Sequence, residues 1–250
     1  MIDLGSIAGV ELQADQISDK KYLKKSGVYT AELVMAYMKE SKNGATGIQL
    51  DFQTEDNEIY TVDNLWVTNI KGEPYYVVSK GPDKGDKKPL PGMMDLMKYC
   101  KLLTGNAEEF QKTDTTIYPV YNKDKKAFVD SEVKSVPGLI GNVVQLVLQE
   151  TVQDKTALNS GSGKYEPTGD TRVSLELKTI LDGATGKTLA EKEAGLEGKY
   201  KATFLKKIAK DPIYVPKNVV GRVVGVDEKD SGEHKPKVNA DDAPDSAPFG

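Results

Sequence analysis

Cysteine and histidine are nearly missing from this chain of 250 residues, which has one of each, Cys100 and His234. A lone thiol cannot close an internal disulfide, so a secreted disulfide scaffold is excluded and a reducing cytoplasm is the expected location. Structural zinc takes about four Cys or His ligands, and two widely separated ones rule out zinc fingers and zinc hydrolases. A Ser/His/Asp triad would have to use His234, which lies in a polar, proline-bearing stretch that offers nothing to bury and orient the ring. Long apolar runs are missing too. The longest is LVMAYM at residues 33–38, far short of the roughly 20 residues that cross a bilayer. The first residues, MIDLGSIAGVELQADQ, lack a basic segment followed by an apolar one. The expectation is a chain that neither passes through a signal-peptide route nor spans a membrane.

Net charge is small, -4 from 34 bases and 38 acids, but it is unevenly placed. Residues 226–250 hold seven acids (Asp227, Glu228, Asp230, Glu233, Asp241, Asp242, Asp245) and three lysines (Lys229, Lys235, Lys237), so this segment carries the whole imbalance. Such asymmetry marks an interaction tail. With 38% hydrophobic residues the remainder has enough apolar material for a core. Three parts are therefore expected: an N-terminal arm at 1–20, a folded body at 21–225 and an acidic tail, without a fold of its own, at 226–250.

Within the body, apolar residues mostly alternate, the period of half-buried strands. Strands are predicted at 27–38, 47–54, 58–69, 143–152 and 171–181. Ile48, Leu50 and Phe52 share one side of the second. In the third, Leu65 and Val67 share one parity, and Tyr60 and Trp66 the other. Val144, Leu146 and Leu148 point inward in the fourth, and Val173, Leu175 and Leu177 in the fifth. A hairpin is predicted at 116–133 around NKDKK. The stretches 81–92 (GPDKGDKKPLPG) and 161–170 (GSGKYEPTGD) read as loops. The period changes at Met93, Leu96, Met97, Cys100 and Leu103, one stripe of an amphipathic helix with Gly105 as its stop, which makes Cys100 a core residue. A second helix is predicted at 199–210, with Phe204, Leu205 and Ile208 on one side, ended by Pro212. Three strands, a helix and further strands are the order of an OB fold, a partly open five-stranded Greek-key barrel with a helix between strands three and four. The 116–133 hairpin is then an insertion.

Two enzyme motifs can be weighed directly. GATGKT at 183–188 lacks the glycine that a phosphate loop needs five residues before Gly186, where Leu181 stands, and so reads as turn residues. Asp170, Glu176 and Lys178 resemble the metal-binding triplet of some nucleases, in which two carboxylates share a magnesium ion. That makes a magnesium-dependent nuclease one alternative, and a β-rich structural or adaptor protein another.

The main reading is nucleic-acid binding. Tyr60 and Trp66 on the third strand, with Tyr75 and Tyr76 beyond it, would stack on bases; Lys80, Lys84, Lys87 and Lys88 would track phosphates. Two loops would flank the groove, one with Lys39 and Lys42, the other with Lys155, Lys164 and Tyr165, and Arg172 opens the strand after it. No cofactor and no metal is called for. The tail ends DDAPDSAPFG, where Asp241, Asp242 and Asp245 lead into Phe249. An apolar ring on a charged tail serves as a hook for a partner's pocket, steered there by the carboxylates.

The stretches GVYTAELVMAYMKES, GIQLDFQTEDNEIYTVDNLWVTN, PGMMDLMKYCKLLTG and GLIGNVVQLVLQETVQ, with the tail, resemble phage-encoded single-stranded DNA-binding proteins that have an OB fold and an acidic C-terminal tail with a terminal aromatic. The resemblance implies sequence-independent coating of single strands in DNA replication and recombination, without enzymatic activity, in the cytoplasm of a bacterial host cell, and it leaves room for cooperative self-association on DNA. It also implies a tail that contacts replication and recombination proteins and competes with DNA for the groove. Here Phe249 is followed by Gly250, so the terminal carboxylate is not on the aromatic residue.

Overall fold

A computed structural model describes residues 21–221, apart from 123, 124 and 162. The arm at 1–20 and everything after Gly221, including Asp241, Asp242, Asp245 and Phe249, lie outside the described residues. The chain is mainly β, with a sheet curled into a half-barrel. No helix among the described residues is long and apolar enough to cross a membrane.

The curl is built on β2 (Gly27–Glu40), 14 residues rich in β-branched and aromatic side chains. Its first half, from Gly27 to Glu32, pairs antiparallel with β9 (Val143–Asn159), and from Ala31 onward it pairs with β3 (Thr46–Thr54). One strand thus belongs to both walls. β3 pairs in turn with β4 (Glu58–Trp66), whose far edge takes the two-residue β1 (Lys21–Tyr22) in parallel. On the other side β9 pairs with β10 (Lys164–Asp182). Among the described residues no backbone ladder joins β4 to β10. They are linked by the Tyr60 hydroxyl, which donates to the Leu175 carbonyl at 3.2 Å.

Inside the curl, Leu33, Ile48, Leu50, Phe52, Leu146 and Leu148 are buried, as their alternation predicts. The open end is closed by α1 (Pro91–Thr104), which begins with proline in its first turn and stops at Gly105 in the left-handed conformation, φ 78°. Leu96, Tyr99, Cys100 and Leu102 sink into the core. Burial pushes the Cys100 thiol up to about 11, as befits a packed side chain. β9 is buried on both faces, because Val147 packs outward with Leu181 against Phe204 of α3 (Lys199–Lys210). Between them a short α2 (Leu189–Glu193) starts in a capping box of Thr188 and Glu191.

Several expectations are corrected. The 161–170 stretch is not a loop: β9 and β10 continue as a ribbon, turning between Asn159 and Lys164 and absorbing Gly169 in a bulge. Val173 is half exposed, whereas Leu175 and Leu177 do pack on the core. The 81–92 stretch contributes β6 (Lys87–Pro89), paired with β5 (Tyr75–Val77) in a separate two-stranded sheet, and the first turn of α1. The 116–133 hairpin forms as β7 (Asp114–Asn122) and β8 (Ala127–Ser135), joined to the end of β2 through Tyr37 and Ser135. Ile213–Tyr214, a two-residue β11, adds in parallel to β9.

Candidate nucleic-acid interface

The outer face of β2, β3 and β4 is where candidate side chains gather, and two bulges decide which ones. Leu33 opposes Phe52 while Met35 opposes Asp51, so β2 carries one extra residue there, and its parity flips. Val34, Met35, Tyr37 and Lys39 consequently face outward. In β4, Val62 opposes Leu50 but Leu65 opposes Ile48, again one extra residue. Tyr60 and Val62 therefore point into the core before the flip, and Leu65 and Val67 after it. Trp66 is turned outward with Ile59, Thr61 and Asp63. The expectation that Tyr60 and Trp66 share a face is thereby overturned. Tyr60 packs on the core, and burial pushes its hydroxyl up to about 12.

This outer face floors a groove of about 960 Å³, walled on one side by Pro119, Val120, Tyr121 and Phe128 of the β7–β8 hairpin. Its accessible aromatic surface comes from Tyr22, Trp66, Tyr121 and Phe128, while Tyr37 lies beneath, 3% exposed. Tyr121 and Phe128 meet edge to face at 5.5 Å, and Tyr37 leans on Tyr118 at 6.0 Å. Burial first, then the Asp51 and Asp63 carboxylates, push the Tyr37 hydroxyl up to about 12, so at neutral pH it can only be a protonated phenol. Lys39 and Lys42 bring positive charge; Glu40, Asp51 and Asp63 bring negative charge. At Tyr22 the groove meets a second depression of about 530 Å³, lined by Lys21, Lys24 and Lys25 with Tyr29 and Glu58. Adjoining at Tyr22, they make a track with cations in both parts: Lys39 and Lys42 beside the rings of the groove, and Lys21, Lys24 and Lys25 beyond.

Of the side chains singled out by sequence, Trp66, Lys39 and Lys42 line this track. Tyr75 and Tyr76 stand on the β5–β6 hairpin instead, where the Tyr75 hydroxyl donates to Glu73 at 2.9 Å and accepts from Lys87 at 2.8 Å. Lys80 and Lys84 are exposed there, and Lys88 pairs with Asp83. Lys164, Tyr165 and Arg172 belong to the β9–β10 ribbon, with Tyr165 exposed and Arg172 reaching Gln153 at 3.5 Å. The three groups occupy different elements. Tyr22, Tyr37, Tyr121 and Phe128 were missed. For the last two the signal was present in an exposed cross-strand aromatic pair.

The nuclease triplet is not assembled. Glu176 pairs with Lys178 at 2.7 Å and accepts from Gln153 at 2.6 Å; burial works to raise its pKa, but these partners lower it overall. Asp170 lies beyond the bulge, 4.0 Å from Lys155. Thr171 to Glu176 alone spans about 17 Å of strand, too far for two carboxylates to share one ion.

No protein-family model matches the chain, and no curated protein does either.

Proposed function

We propose that the chain binds single-stranded DNA without strong sequence preference, coating and protecting strands in phage replication and recombination, with no enzymatic step of its own. The observation that carries this reading is the track: four accessible aromatic rings in one groove, running at Tyr22 into a basin with three lysines. Rings accept any base because every base has a π-face, and lysines hold the backbone. The pairing order supports an OB-fold reading. The long strand β2 is shared between β3 and β9, α1 falls between the third and fourth barrel strands, and β10 follows β9. On this reading β7 and β8 are the insertion, and they build a groove wall. Asp241, Asp242, Asp245 and Phe249 would recruit replication and recombination proteins.

Trp66 is the chain's one tryptophan, so titrating oligothymidine and following its emission reads the groove directly. Quenching that saturates together with a gel shift is the expected result. An unchanged emission with no shifted band would overturn the reading.

The carboxylates of Glu40, Asp51 and Asp63 favour one competing reading, an adaptor that grips a basic peptide in the same groove. An oligolysine that quenches Trp66 where oligothymidine does not would establish it.

A further inference from the structure

A separate cleft of about 440 Å³ lies where α3 crosses β9 and β10, and none of its lining residues belongs to the DNA track. Two cations converge on one ring there: the Lys207 and Lys178 ammonium groups stand 5.0 and 5.6 Å from the centroid of Tyr214. Lys178 is partly neutralised by Glu176 at 2.7 Å and donates to Thr151 at 3.4 Å. Lys207 has no carboxylate partner among the described residues; its contact is the Gln149 side-chain carbonyl at 3.5 Å.

Gln149 is 1% exposed. Because a lysine can only donate, the Lys207 contact fixes the amide with its oxygen toward that ammonium. The other end, Nε2 with two N–H donors, has no hydrogen-bond partner among the described residues. Buried polar groups are ordinarily satisfied, and one that is not asks for an explanation. Lys207 and this amide nitrogen can only donate and neither meets a carboxylate, so what is lacking is an acceptor, and for the ammonium group an anionic one. Tyr200 and Tyr214, 37% and 42% exposed, add ring surface to the same cleft. The volume is in the range of small-molecule sites, more than a bare oxyanion fills.

We propose that this cleft binds a phosphate monoester carrying a planar group, of which a nucleoside monophosphate is the fitting class. The phosphate takes the Lys207 and Lys178 ammonium groups, the Gln149 carbonyl holds Lys207 in position, and the base lies against Tyr200 or Tyr214. Such a phosphate occurs on a free nucleotide and at the 5′ end of a strand, and the two sources can be told apart.

The test is calorimetric titration of the full chain with thymidine monophosphate, thymidine and inorganic phosphate. Thymidine monophosphate is expected to bind, and the other two at least about tenfold more weakly, since each lacks one half of the recognition. Lys207→Met and Gln149→Leu should each weaken binding about tenfold or more. Gln149→Leu removes the unpartnered amide and should melt no lower than wild type. Should it fail to fold, Lys207→Met, on the exposed side of α3, decides alone. Trp66→Ala should bind the nucleotide normally. The proposal falls if thymidine monophosphate gives no binding, if Lys207→Met leaves the binding intact, or if Trp66→Ala abolishes it. Loss of oligothymidine quenching at the groove would not touch any of these results. Given binding, an oligothymidine tightened by a 5′ phosphate only while Lys207 is present identifies the strand end as the source, and no tightening identifies the free nucleotide.

Discussion

The Lys39 ammonium stands 5.1 Å from the centroid of the Trp66 ring and donates to the Asp63 carbonyl. Lys39 leaves β2 and Trp66 ends β4, so the contact bridges β3, which lies between them. Cation and ring are joined before any ligand arrives. On the DNA-binding reading, a base stacked on Trp66 would find an ammonium group already placed for its phosphate.

Trp66→Ala should therefore cost oligothymidine affinity about 1–3 kcal/mol, the value of one base stack. Lys39→Met should cost less, about 0.5–1 kcal/mol, because a cation–π contact near solvent is weaker. Anisotropy with labelled oligothymidine gives both numbers. Far-ultraviolet dichroism checks the fold, which should persist because Trp66 faces the groove and not the core. Equal affinity of Trp66→Ala and wild type would move the DNA off this face.

Salt dependence follows from the track's cations. Lys21, Lys24, Lys25, Lys39 and Lys42 could each neutralise a phosphate, with a slope of log K against log salt of about -0.7 per contact. Five contacts set a ceiling of roughly -3.5, and the carboxylates of Glu40, Asp51, Asp63 and Glu58 hold the observed slope below it. Lys24→Ala should flatten the plot by about 0.7, whereas Lys84→Ala, on the β5–β6 hairpin, should leave it unchanged.

Gly92 sits where helix and strand come closest. A Cβ built on it would stand 2.5 Å from the Trp66 backbone nitrogen and 2.8 Å from its carbonyl oxygen. Backbone cannot swing aside as a side-chain tip can. Gly92→Ala should therefore destabilise by about 1–3 kcal/mol, although alanine is the better helix former. It should also shift Trp66 emission in the absence of DNA. Thermal melting and the emission spectrum of the unliganded variant measure the two effects.

The same two strands show where sequence reading stops. Ile48, Leu50 and Phe52 alternate without interruption, so their shared face is legible; α1 and α3 are legible from the spacing of Met93 to Leu103 and of Phe204 to Ile208. The face of Trp66 is not legible, because the extra residue in β4 flips its parity against Tyr60 and leaves no trace in residue type. The outer part of the β9–β10 ribbon is exposed at 155–161 and 165–170, and an exposed ribbon needs no hydrophobic alternation. The groove wall was hidden differently. Its hairpin was legible as a hairpin, but its place beside β2 depends on contacts distant in sequence: the pairing of Tyr37 with Ser135 across 98 residues, the Val136 amide donating to the Ala36 carbonyl, and Tyr37 against Tyr118.

Acid sensitivity should centre on Asp182, whose carboxyl is held down to about 2, chiefly by the Lys192 ammonium at 2.6 Å and also by the Thr185 hydroxyl and amide, against the opposing effect of burial. A carboxylate with a lower pKa in the folded than in the unfolded chain stabilises above the unfolded value of about 4 and loses that contribution as pH falls toward 2. Asp182→Asn should consequently melt below wild type at neutral pH and converge with it near pH 2. Melting curves at pH 7, 4 and 2 test this; a constant gap would mean that the side chain acts through hydrogen bonds alone.

Removing residues 226–250 takes away the whole net charge of -4 and leaves a balanced chain. If DNA lies along a track that has about as many carboxylates as lysines, an extra negative segment on the same molecule opposes the approach of every phosphate. The truncated chain should bind oligothymidine more tightly. The gain should be largest at low salt and shrink as ionic strength rises, because screening acts beyond about 10 Å at 0.1 M. Phe249→Ala, which leaves the charge intact, should not change DNA affinity. Competing fluorescence titrations of the three proteins at two salt concentrations separate these effects. Weaker binding by the truncated chain would mean that residues 226–250 support the DNA complex, and the electrostatic argument would have to be abandoned.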